Sequence, residues 1–137
     1  GHHSGLTAMD TPSVHHVTLS VSDVDRSAQW YQALLGTAQV IHREGPGWVR
    51  IRMQWPGGLV IGVTEHEETT GSPFDERRTG LDHIGLGCTD ESEVRAWHDA
   101  LDRLGFEHGP VEDVPYGWAV TARDPDGIPV EFFCSKA

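Results

Sequence analysis

The chain is poor in positive charge. Ten lysines and arginines face 21 aspartates and glutamates, giving a formal net charge of −11. A basic footprint for nucleic acid is therefore missing, and the acidity repels phosphate backbones and anionic lipid alike. The plain reading of that acidity is solubility in a cytoplasmic protein. Cysteine is scarce as well. Cys88 and Cys134 make up the whole complement and do not stand at CxxC spacing. Both lie in apolar, strand-like runs and read as reduced, buried thiols, which argues against a disulfide or a catalytic role. No apolar run approaches the roughly 20 residues that a membrane span needs, and no signal-peptide pattern is seen. What remains is a globular composition, 37% hydrophobic and 23% charged over 137 residues. That is enough chain for one ordinary domain to bury a core without staples. The start, Gly1-His2-His3-Ser4-Gly5, reads as an expression-tag remnant ahead of a native start at Met9. Residues 1–8 are accordingly set apart, and 9–137 are expected to form a single domain.

The chain contains itself twice. A shift of 67 residues lays His16-Val17-Thr18-Leu19 on His83-Ile84-Gly85-Leu86, and carries Asp23 onto Asp90, Trp30 onto Trp97 and Leu34 onto Leu101. A shift of 69 later lays Pro56-Gly57-Gly58 on Pro125-Asp126-Gly127. Matching elements in a fixed order argue for duplicated modules, here 14–66 and 81–135. The polar stretch 67–80 reads as the linker between them. Each half reads as a strand, a helix and three more strands. Val17, Leu19 and Val21 alternate with His16, Thr18 and Ser20, the period of a half-buried strand. Ile84, Leu86 and Cys88 alternate with His83, Gly85 and Gly87 in the same way. Asp23 or Asp25 can cap the first helix and Asp90 or Ser92 the second, with Gly36 and Gly105 as their ends. The remaining strands are expected near 37–43, 47–55 and 58–66, then near 106–112, 117–123 and 128–134, with the two Pro-Gly-type turns introducing the last strand of each half.

A tandem strand–helix–three-strand repeat with a histidine on the first strand of each half resembles the vicinal-oxygen-chelate superfamily of glyoxalases, bleomycin resistance proteins and extradiol dioxygenases. The motifs that carry the resemblance are His15-His16-Val17-Thr18-Leu19, Gly80-Leu81-Asp82-His83-Ile84 and Arg123-Asp124-Pro125-Asp126-Gly127-Ile128-Pro129-Val130-Glu131-Phe132-Phe133. The resemblance implies an α+β fold in which two βαβββ modules form a curved mixed sheet, a cup, with helices on the outer face. It also implies one divalent metal ion held by His16, His83 and Glu131. The fourth family position falls on Gly62, which has no side chain to offer, so the pattern is the three-ligand one. Short two-module members often pair, and one site can draw ligands from two chains. A homodimer is the corresponding expectation.

Strand parity reaches the same three residues independently. If Val17, Leu19 and Val21 face the helix, His16 points to the cup, and the same holds for His83. With Ile128, Val130 and Phe132 on the apolar side, Glu131 takes the other face. A buried carboxylate there is costly without a cation. Two imidazoles and a carboxylate suit Fe, Mn, Co, Ni or Zn, with positions open for water or substrate. His66 shares the parity of Gly62 and could serve as a proton donor or base, and Tyr116, on the turn before the seventh strand, could hydrogen-bond a substrate. Arg50 and Arg52 face the cup or solvent and could hold a carboxylate or phosphonate. Trp48 and Trp118 are candidate pocket walls, whereas Trp30 and Trp97 read as core. His42, His98 and His108 read as surface residues. The expected function is a metal-dependent lyase, isomerase or dioxygenase acting on a small oxygenated molecule. The alternative is a binding protein without catalysis, of the drug-sequestering kind.

Overall fold

The computed structural model of the chain describes residues 9–137, and the tag reading of residues 1–8 lies outside them. The order of elements is β1 (Val17–Ser20), α1 (Val24–Leu35), β2 (Gln39–Gly45), β3 (Trp48–Gln54) and β4 (Val60–His66), then β5 (Ile84–Gly87), α2 (Glu91–Leu104), β6 (Glu112–Val114), β7 (Gly117–Arg123) and β8 (Pro129–Ser135). The βαβββ unit thus occurs twice. Residues 67–80 between the units carry turns but no strand or helix.

Both units build the same sheet. The first has the order β1-β4-β3-β2 and the second β5-β8-β7-β6. In each, the first strand runs parallel to the last, and the other pairs are antiparallel. The protein therefore has two four-stranded mixed sheets without hydrogen bonding between them. One continuous sheet does not form within the chain.

Local chemistry sets the elements. Asp23 caps α1 by accepting from the Arg26 N–H, and Asp90 caps α2 by accepting from the Glu93 N–H. Each such cap contributes about 1 kcal/mol. Gly105 ends α2 in the left-handed region at φ 70°, where a Cβ would be strained. Beyond it the expected strand 106–112 does not form. Pro110 has no N–H to give a ladder. His108 makes only an isolated bridge to Ala122, and β6 shrinks to three residues at 112–114.

One face of each sheet is covered by helix. In the first, Leu19, Ile51, Met53, Ile61 and Val63 are buried there; in the second, Val120, Ala122, Val130, Phe132 and Cys134. The units meet through their helices and loops. Trp30 of α1 stacks on Phe106 beyond α2, at 5.1 Å between ring centroids. The Tyr31 hydroxyl donates to the buried Asp124 carboxylate at 2.7 Å. The Ser22 hydroxyl and backbone N–H both donate to Asp126. The turn between β7 and β8 is thereby fastened to the start of α1. Trp97 stacks on Phe132 at 4.5 Å, so both tryptophans read as core lie in or against it.

Candidate metal centre

The opposite faces of the sheets have no helix over them, and the chemistry-bearing residues collect there. In the second unit, register places Gly85 beside Glu131 and Thr121 on its other side. His83 stands just before β5. Its Nε2 lies 3.7 Å from Glu131 Oε1, and its Nδ1 lies 2.6 Å from Asp82 Oδ1. A carboxylate can only accept, so this contact puts a proton on Nδ1. With that proton on Nδ1, an unprotonated Nε2 presents its lone pair toward Glu131. Two lone-pair donors facing each other, too far apart to hydrogen-bond, leave room for a cation. A separation of 3.7 Å is near that of two donors sharing one ion through bonds of about 2.0–2.2 Å. Asp82 supplies the outer carboxylate that orients a ligating imidazole. The chemistry of the donor set therefore fits a divalent metal.

Gly85 leaves the Glu131 carboxylate uncrowded. A Cβ added at Gly85 would come to 3.7 Å from Glu131 Oε1. The first unit inverts this arrangement. There Thr18 pairs with Gly62, and a Cβ at Gly62 would stand 3.1 Å from the Thr18 hydroxyl. Threonine on the first strand occupies the space that a fourth ligand on the last strand would need.

His16, the third expected ligand, stands just before β1, with its Nδ1 2.9 Å from Nδ1 of His15. It lines a cavity of about 80 Å³ with Thr18, Arg43, Arg50, Arg52 and Gly62. Within one chain, His83 and Glu131 come together, whereas His16 belongs to the face of the other sheet. Among the described residues, one group of three His, Cys, Asp or Glu side chains has its ligand atoms within 4.8 Å of one another, and it is a different one: His98, Asp102 and His108.

That group lies at the end of α2, away from the open faces. The His108 Nδ1–H donates to the Gly109 carbonyl at 2.6 Å, and Nε2 lies 2.5 Å from Asp102 Oδ1. The carbonyl contact and the Asp102 carboxylate favour the imidazolium and raise the His108 pKa, against the opposing effect of burial. A proton thus accounts for this cluster. His108 is not the plain surface residue expected from the sequence: its side chain is 12% exposed, drawn in by the turn after Gly105.

The other candidates divide by parity. Trp48, Arg50 and Arg52 pair with His66, Thr64 and Gly62 across β4, so all share the open face of the first sheet. The Arg50 guanidinium lies 4.5 Å from the Trp48 ring, and its Nε donates to the Thr64 hydroxyl at 2.8 Å. Trp48 can lie flat because its neighbour is Gly45, where a Cβ would come within 2.5 Å of the indole. Tyr116 is exposed beside Phe133, which has the parity of Glu131. Trp118 does not join them. It pairs with Cys134 and packs against the core on the helix side, because in β7 the residues of Thr121's parity are the ones that face Glu131. Cys88 and Cys134 are free thiols, and burial pushes Cys88 up to about 11. A cavity of about 660 Å³ lies under the linker and the β7–β8 turn, and none of the expected ligands lines it.

A family profile described as the Glyoxalase/Bleomycin resistance protein/Dioxygenase superfamily matches residues 13–132. The chain is 30% identical over 130 residues to a lactoylglutathione lyase of Haemophilus influenzae, covering 89% of this chain and 92% of that one. It is 26% identical over 117 residues to the metallothiol transferase FosB of Staphylococcus saprophyticus, covering 84% and 72%. Among solved structures, a glyoxylase/bleomycin resistance protein/dioxygenase domain from Frankia sp. EAN1pec is similar with a TM-score of 0.85 at 30% identity, over 93% of this chain and 94% of that one.

Proposed function

This chain belongs to the glyoxalase/bleomycin resistance protein/dioxygenase superfamily, and we propose that within it the protein is a metal-dependent lyase, isomerase or dioxygenase of small oxygenated molecules. Residues 9–137 act as a single domain in this reading, in the cytoplasmic setting that free Cys88 and Cys134 suit. One divalent ion, of Fe, Mn, Co, Ni or Zn, is held by His16, His83 and Glu131. The observation that carries the proposal is the facing of His83 Nε2 and Glu131 Oε1 at 3.7 Å, with Asp82 fixing the tautomer. The protein acts as a homodimer, in which His16 of one protomer completes the site begun by His83 and Glu131 of its partner. Pairing of the open faces also covers surfaces that a single chain leaves in water.

A divalent ion bound there supplies Lewis acidity toward neighbouring oxygens of a substrate. The side chains do the rest. Asp82 keeps the His83 Nδ1–H engaged, so the ring neither flips nor donates to substrate. Trp48, laid over Gly45, walls the open face. His66, paired with Trp48 at the end of β4, takes or returns a proton, and Tyr116 donates a hydrogen bond from its turn beside Phe133.

Metal analysis tests this. The wild-type protein should carry one more equivalent of metal per protomer than His83→Gln or Glu131→Gln, with light scattering giving a dimer for all three. A wild-type protein that holds no more metal than the variants, yet tightly binds an antibiotic, would instead favour drug sequestration.

A further inference from the structure

We propose that the open face of the first sheet carries an oxyanion subsite, built by Arg43, Arg50 and Arg52 beside His16, for a carboxylate or phosphoryl group of the substrate. Arg43 on β2 stands directly opposite Arg50 on β3, and Arg52 follows two residues along on the same face. Like charges directly opposite in an antiparallel pair are unfavourable when nothing lies between them. Every means of relief is at hand in this chain, with 21 acidic residues against ten basic ones, yet none is used. Arg26, Arg77, Arg95, Arg123 and Lys136 each pair with a carboxylate. Among the described residues, Arg43, Arg50 and Arg52 pair with none, and neither do Arg78 and Arg103; what sets the three apart is that they stand together on one sheet face.

The three arginines line one cavity of about 80 Å³ with His16 and Gly62. A cavity of that size has room for one small oxyanion group. Arg50 spends its Nε on Thr64, and Arg52 spends one terminal nitrogen on Gln54. Their other donors stay available, and guanidinium forks match the oxygens of a carboxylate or a phosphoryl group. Thr64 and Trp48 hold Arg50 in place, so part of the site is ordered before anything binds. A local positive face in an acidic protein also draws an anion toward it.

That the anion belongs to the substrate rests on the metal site proposed above, because His16 lines the same cavity; oxyanion binding by the arginines does not rest on it. The test uses the full chain with acetate, methylphosphonate and inorganic phosphate as probes, at constant ionic strength set with chloride. Affinity is read from calorimetric titration, and melting temperature checks that each variant is folded. The wild type should bind at least one probe, and the preference between acetate and the phosphorus oxyanions identifies the group. Arg43→Gln/Arg52→Gln should lose at least tenfold in that affinity while melting close to wild type. Glu131→Gln should keep it.

Absence of binding by all three probes would overturn the proposal, and so would affinity unchanged in the arginine variant. Loss of affinity in Glu131→Gln would place the anion on a metal and not on the arginines, and would also overturn it. An arginine variant that changes only the dimer dissociation constant would mean that a partner protomer's acids neutralise the cluster, which is equally contrary. If the anion binds but the metal is not retained, the subsite stands and the metal reading fails. The converse result leaves the metal reading and removes the subsite.

Discussion

Gly85 and Glu131 face each other across β5 and β8, and Thr18 and Gly62 occupy the matching positions of β1 and β4. In each pair one partner is a glycine, so only one side chain projects from the pair. The duplicated scaffold is thereby divided into a half that offers a carboxylate and a half that does not. Gly85→Thr would copy the first half into the second. A Cβ there already touches Glu131 Oε1 at van der Waals distance, and the groups beyond it would crowd the carboxylate. The variant should fold, since position 85 is exposed, and should lose about tenfold or more in metal affinity, the range seen when support of a ligand is disturbed. Metal titration of wild type and variant checks this. The parity of His16, His83 and Glu131 was legible in the sequence because valines, leucines and isoleucines alternate with them. Parity also spoke against Trp118, which alternates with Ala119 and Thr121 on β7; aromatic character alone drew it toward the pocket. Arg43 was hidden for another reason. With the second strand placed two residues early, it falls at a strand end, and its pairing with Arg50 is fixed only by the turn at Pro46-Gly47, where Gly47 takes φ 79°.

At the scale of the element, the segment after α2 departs most from the sequence pattern. The caps Asp90 and Gly105 were legible. The failure of 106–112 as a strand was legible in part, since Pro110 has no N–H for a ladder; the turn of His108 back to Asp102 on the helix is tertiary and was not. That contact makes a pH prediction. The folded state raises the His108 pKa, so its stabilisation is complete below the unfolded value of about 6.5 and is lost as pH rises through the folded one. Melting curves of wild type and His108→Gln should therefore differ most below the unfolded value of about 6.5 and converge as pH rises above it. A gap that widens with pH would assign the contact a different charge state.

For the whole molecule, the junction between units matters as much as the site. Asp124 is buried and accepts from the Tyr31 hydroxyl and from the N–H groups of Asp126 and Ile128. Burial raises its pKa against the pull of these donors. Tyr31→Phe removes the one donor that comes from the other unit and should cost about 1–3 kcal/mol, read as a lower denaturant midpoint. An unchanged midpoint would mean that the units are held by their other contacts, among them the Trp30–Phe106 stack, the shared core and the bonds of Ser22 and Arg26 to Asp126. No local pattern announces a bond between residues 93 positions apart, although the repeat did show that two such units had to be joined. Joining them through the helices leaves His16 on one open face and His83 with Glu131 on another.

The reading of a site shared between protomers is tested most directly by metal content after subunit exchange. His16→Ala and Glu131→Ala should each fail to hold the metal. When the two are mixed and allowed to exchange, each heterodimer should recover one of its two sites, since one cavity then keeps all three ligands. Heterodimers that form and recover no metal would contradict the account.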